Sequence, residues 1–141
     1  LPNLNNLILK LNIREGLIDV NQTSINWLEI ADIKISDSLI LMNDSNLVLD
    51  GLVTIQINDF QEFYKSFQTP RNYRKEIKKI EFNLSYNFDQ STADLDDIRI
   101  DGVIDPNINK IFKELIFKNN KLQNRIYIKK LINQAMKFYV G

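Results

Sequence analysis

Between Asn46 and Asn58 the apolar residues fall on every second position: Leu47, Leu49, Val53, Ile55 and Ile57, with Gly51 in the same series. Side chains of an extended chain alternate between two faces, so this stretch reads as a β-strand with one dry face. The alternates run Val48, Asp50, Leu52, Thr54, Gln56 and Asn58, mixed at first and fully polar at the end. That pattern belongs to a sheet covered on one side only. The same period returns at Ile80, Phe82, Leu84, Tyr86 and Phe88, and again at Leu7, Leu9, Leu11 and Ile13. What these rows bury themselves against, a second protein layer or something that is not protein, is the functional question.

Around these stretches the chain spells an antiparallel meander of hairpins. Leu7 to Arg14, the Glu15-Gly16 turn and Leu17 to Val20 read as one hairpin, and Thr23 to Leu28 as a short strand with Thr23, Ile25 and Trp27 on one side. Trp27 is read as a core anchor before a ligand-stacking group. Ile30 to Met42 is a long strand whose apolar face is interrupted at Asp37, which calls for a bulge or an edge position. Asn43-Asp44-Ser45-Asn46 is a turn rich in residues that tolerate left-handed backbone. Gly51 is costly in mid-strand unless the sheet bends there or another group approaches the backbone closely, and a curved sheet is the simpler expectation. Ala93 to Asp101 pairs back on Ile80 to Asp89 with a change of register at Asp96-Asp97, a second bulge.

Three helices are expected. The period changes at Asp59, where Phe60, Phe63, Tyr64 and Phe67 take helical spacing, Asp59 serves as N-cap, Glu62 stands where a capping box places it, and Thr69-Pro70 ends the run. Asp105-Pro106 opens a second helix with Ile108, Ile111, Phe112, Leu115 and Ile116 as its stripe, stopped at Asn119-Asn120. The third runs from about Asn124 to Tyr139, with Ile128, Leu131, Ile132, Ala135, Met136 and Tyr139 on one side and Lys129, Lys130, Asn133 and Lys137 around the other. The fold expected is α+β and mainly β: a curved antiparallel sheet over 1–104, a short helix after the central strand, and two helices in 105–141 that dock on the sheet or cap it. Residues 1–141 make one domain. The start at Leu1, with no initiator Met, reads as a piece of a larger protein or a processed form.

Composition narrows the chemistry. With no Cys and no His, thiol chemistry is excluded and the commonest general base and metal ligand are missing. Lys plus Arg and Asp plus Glu are 18 each, so no global charge points to nucleic acid. Residues 1–60 nevertheless carry three basic and eight acidic side chains, against fifteen and ten in 61–141. The basic run Arg71 to Lys79 offers Arg71, Arg74 and Lys75, and the last helix offers Lys129 and Lys130, as contacts for an anionic headgroup or a protein partner. A solvated face is the plainer reading of either run, and Tyr73 is the one aromatic in the first of them, too few for a nucleic-acid platform. Asp94, Asp96, Asp97 and Asp101 are read as an acidic solvated bulge and not as a metal site, because the run lacks the Gly and terminal Glu of a calcium loop. No cofactor, metal or catalytic residue is expected. No apolar run reaches the roughly 18–20 residues of a membrane span, and no signal peptide is visible.

The stretch Leu47 to Tyr64, LVLDGLVTIQINDFQEFY, resembles the C-terminal region of AsmA-like proteins, relatives of the bridge-like lipid transfer proteins. It is similar in its apolar strand, its Gly, its alternating continuation, its acidic residue and its short aromatic helix, and Ile33 to Met42 and Leu11 to Val20 resemble the hairpins that precede it. The departures are the small number of Gly, four in all, and the helical C-terminal part. The resemblance implies a domain of the bacterial cell envelope on the periplasmic side of the inner membrane, concerned with lipid transport and outer membrane biogenesis. There the rows Leu47, Leu49, Val53, Ile55, Ile57 and Ile80, Phe82, Leu84, Tyr86, Phe88 would shield phospholipid acyl chains, at about 25 cal/mol per Å² of apolar area covered, with no catalytic group. The other reading is a protein-protein interaction module with a closed core and a basic C-terminal surface, binding other envelope proteins.

Overall fold

The computed structural model describes residues 5–9, 12–14, 17–119 and 125–141. Nine strands form one antiparallel sheet: β1 Asn5–Ile8, β2 Asn12–Arg14, β3 Leu17–Asp19, β4 Thr23–Trp27, β5 Ala31–Asn43, β6 Asn46–Ile57, β7 Lys79–Asn87, β8 Thr92–Ile100 and β9 Val103–Ile104. Helix α1 (Phe60–Ser66) and a 3-10 turn (Arg71–Tyr73) lie between β6 and β7, while α2 (Pro106–Asn119) and α3 (Arg125–Val140) follow β9. The mainly β, α+β architecture read from the sequence is the one observed. The Glu15-Gly16 turn, Leu11, Asn120, Asn124 and the side chains of Leu115 and Ile116 lie outside the described residues.

The sheet is a meander from β4 to β9 with one branch. At 13 residues, β5 is long enough to hold two partners along the same edge: β4 pairs with Ala31 to Ile35, and β3 with Leu39 and Ile40. Between them Asp37 turns to a φ of 47° and the register shifts, the bulge that the interrupted face called for. Asp37 and Ser38 together face Gly51, where an added Cβ would come within 2.8 Å of the Ser38 Cβ. Ser38 is fully buried, and Asn21 Oδ1 accepts from its N–H at 2.8 Å. The glycine is therefore required by close approach.

The outer strands depart from expectation. Leu7 to Arg14 is not one strand: β1 pairs with β4, whereas β2 pairs with β3, so the two halves of that alternating run serve different neighbours. Alternation tells which face a side chain takes but not which strand stands beside it. At the other end of the sheet β7 stops at Asn87, and Phe88 falls in the turn, 42% exposed, with its ring edge-on to Tyr86 at 5.0 Å.

The turns follow from local chemistry. Asp44 and Ser45, at φ 46° and 67°, make the two-residue loop between β5 and β6, and Asp101-Gly102 makes the same kind of loop between β8 and β9. A second bulge sets Asp97 and Ile98 against Phe82, one residue along from the register change expected at Asp96-Asp97. Here α2 supplies what the sheet cannot: Ile98 N–H donates to Asn109 Oδ1 at 2.8 Å, and Asn109 Nδ2 donates to the Ile98 carbonyl at 3.1 Å.

Asp59 caps α1, its Oδ1 accepting from Glu62 N–H at 3.0 Å. The reciprocal half of the capping box is not made, because the Asp59 N–H donates to the Ile30 carbonyl and the Glu62 side chain pairs with Lys65. Asp105 caps α2, accepting from Asn107 N–H at 2.8 Å. The core gathers where α1, α2 and α3 cover one end of the sheet, around Trp27, Phe63, Tyr64, Ile77, Ile108 and Met136.

Candidate functional site

Strand register assembles the alternating residues into rows that cross the sheet. One runs Leu7, Ile25, Ile33, Ile55, Ile80, Ile100 over six strands, and a second runs Ile13, Ile18, Ile40, Leu49, Tyr86, Ala93 over another six. Residues opposite one another in an antiparallel pair share a face, so both rows lie on a single apolar surface. Its cover is uneven. Ile100 and Ala93 are buried at the β8 end, whereas Leu7 is 64% exposed and Ile13 71% exposed at the other. Helix α2 lies on β8, and α3 lies on α2 and the 3-10 turn, so the helices cover this face from the β8 side, while Leu7 and Ile13 at the opposite margin are exposed.

Beneath that roof lies a cavity of about 500 Å³. Its floor is Ile33, Ile55, Ile80 and Phe82 from the sheet, and its roof includes Phe112 of α2 and Ile128, Ile132 and Met136 of α3. Trp27, Phe63 and Phe67 close one end, joined edge-to-face with Trp27 centroid distances of 5.9 Å and 5.8 Å to the two Phe rings. The four floor residues are half-buried, whereas Leu95, Ile98 and Ile100 of β8, also in the lining, are buried. The floor continues along its row to Ile25 and Leu7, so the cavity and the bare surface are parts of one apolar face.

Among the described lining residues, Ser66, Lys129 and the indole of Trp27 carry N–H or O–H groups. The Ser66 hydroxyl donates to the Glu62 carbonyl at 2.9 Å, and among the described residues Lys129 is the one charged residue in the wall. Lys129 is half-buried, not on the outer face where helical phase had set it. Asn133, one turn on, is also drawn inward: it accepts from the buried Thr69 hydroxyl at 2.6 Å and donates to the Phe67 carbonyl at 3.3 Å. These bonds pin α3 to the segment after α1.

Of the ten apolar residues singled out in the two central strands, Ile55, Ile80 and Phe82 line the cavity. Val53 and Ile57 are buried, and Leu84 packs on the core. Leu47, Leu49, Tyr86 and Phe88 stand at the far end, away from the helices. Among the cations, Lys129 reaches the cavity and Lys130 is exposed. Arg71 is exposed on the 3-10 turn, Arg74 Nε donates to the Thr69 carbonyl at 2.8 Å, and Lys75 lies 4.5 Å from the centre of the Tyr139 ring. Sequence reasoning placed Trp27, Phe67 and Phe112 in the core but did not foresee the space they enclose, since it depends on how far the helices stand from the sheet.

Titratable groups elsewhere serve the frame. Burial, with smaller contributions from Tyr139 and Asp101, raises the Tyr64 phenol far above its ordinary range, and that hydroxyl donates to the Lys75 carbonyl at 2.7 Å. Hydrogen bonds from Asn58 and Asn26 hold the Asp32 carboxyl below its usual value. Asp96 is held down chiefly by its bond to Lys113, at 3.0 Å. Asp37, Asp50, Asp94 and Asp96 border a shallow depression on the polar face. Asp97 turns to Asn83 and Asp101 accepts from the backbone of Lys78 and Lys79, so the acids of β8 diverge. Among the described residues no three acids are grouped in a way that would hold a metal ion. No helix among them is long and apolar enough to cross a membrane. A scan against protein-family models, a search of curated proteins and a search of solved structures each found no match to this chain.

Proposed function

We propose that this chain is a non-catalytic lipid-handling domain, which shields acyl chains between its sheet and its helices. On the resemblance of Leu47 to Tyr64, it serves as part of an AsmA-like envelope protein moving or holding lipid between membranes on the periplasmic side of the inner membrane. The observation that carries the reading is the cavity of about 500 Å³, whose described walls are apolar side chains but for Ser66 and Lys129. Ligand sites for small apolar molecules fall within roughly 300–1,000 Å³ and have walls of this kind. Water is a poor filler because each buried molecule wants about three polar partners, and these walls offer few besides one ammonium and a hydroxyl already bonded to the Glu62 carbonyl. An acyl chain meets the walls on their own terms. Native mass spectrometry of protein purified without detergent checks this: the chain should carry lipid-mass adducts released on collisional activation. Protein that stays free of adducts, and binds none when lipid is added, overturns the reading.

A further inference from the structure

Resting on the lipid-handling reading, we propose that the cavity takes a single acyl chain with an anionic head, that the Lys129 ammonium is the counter-ion for that head, and that two-chain phospholipids are excluded from it. Volume argues for one chain. An apolar protein cavity of about 150 Å³ holds one benzene, or about 25 Å³ per carbon, so about 500 Å³ accommodates roughly 20 carbons. That is one fatty chain of ordinary length; two would need about twice the space. Charge argues for the head. Among the described residues Lys129 is the one charged residue in the wall, it is half-buried, and no carboxylate is paired with it. By contrast, Lys65, Lys79 and Lys113 each pair with an acid. An anionic head within reach of the Lys129 ammonium would gain a charge-assisted hydrogen bond, stronger than any a neutral head would gain. A cationic head would be repelled.

Trp27, the single Trp of the chain, lies in the wall and reports occupancy by its emission. Hexadecanoate, hexadecanol, a lysophospholipid with one hexadecanoyl chain and a phosphate head, and vesicles of dihexadecanoyl phosphatidylglycerol are titrated separately into the purified protein. Hexadecanoate and the lysophospholipid are expected to saturate at one molecule per chain, hexadecanol to bind about tenfold more weakly, and the vesicles to leave the emission unchanged. Which anion binds more tightly tells a carboxylate from a phosphate head, and both fit the proposal. Lys129→Gln should remove the roughly tenfold preference for the anions over the alcohol, while Lys129→Arg retains it. Equal affinities for acid and alcohol, or no change in Lys129→Gln, overturn the role of Lys129 and leave the lipid reading standing. Two-chain lipid that shifts the emission and displaces hexadecanoate overturns the single-chain assignment. If nothing binds, the lipid reading fails and this proposal with it.

Discussion

Gly51 shows how one absent methyl group decides the path of two strands. The bulge of β5 presses the Ser38 Cβ to where a Gly51 side chain would begin, and Ser38 cannot retreat because its N–H and hydroxyl both donate to Asn21 Oδ1, at 2.8 Å and 3.2 Å. Gly51→Ala is therefore expected to destabilise the domain by about 1–3 kcal/mol, read as a lowered urea midpoint at unchanged slope. Another residue sets a pH dependence. Asp32 accepts from Asn26 Nδ2 at 2.7 Å and Asn58 Nδ2 at 3.1 Å, and these bonds lower its folded-state pKa. A depressed carboxyl contributes stability that is whole above its unfolded value and lost as pH falls through the folded one. Asp32→Ala should thus be less stable than the parent chain at about pH 7, with the gap closing at about pH 2, as measured by urea unfolding at both.

At the scale of elements, the second bulge and α2 are built for one another. Asn109 takes both the N–H and the carbonyl of Ile98, groups that a regular ladder would have satisfied. Asn109→Ala should cost about 2 kcal/mol, or roughly 6 °C in Tm, because it leaves two backbone groups half-buried without partners. A circular dichroism melt checks it. The bulges themselves were legible, since Asp37 and Asp96-Asp97 break a period that is otherwise strict. So were the caps at Asp59 and Asp105, which announce themselves by residue type. Asn109 was not, because its partner is a backbone group eleven residues away on another element, and composition carries no trace of that. The splitting of Leu7 to Arg14 was hidden for a similar reason: alternation fixes a face but is silent on neighbours. Lys129 was grouped with Lys130 by helical phase, yet the roll of α3, fixed by the Asn133 bonds to Thr69 and Phe67, brings Lys129 to the cavity wall.

For the whole molecule, the rows crossing the sheet were legible as apolar faces, and the cavity was not, because enclosed space belongs to the angle between layers and not to either layer. The roof covers part of the face and leaves Leu7, Ile13 and Met42, each more than 60% exposed, facing water. Uncovered apolar area of this kind favours association between copies. Sedimentation velocity should show a species that grows with concentration, and Ile13→Glu together with Met42→Glu should return it to monomer without lowering Tm. The two margins of the sheet differ as well. At one, β9 is two residues long, and at the other, β1 and β2 each have a single strand partner among the described residues. A further strand would find no length to zip along beside β9. A strand arriving to widen this sheet would accordingly find three or four residues to zip along at β1 or β2, and only two at β9.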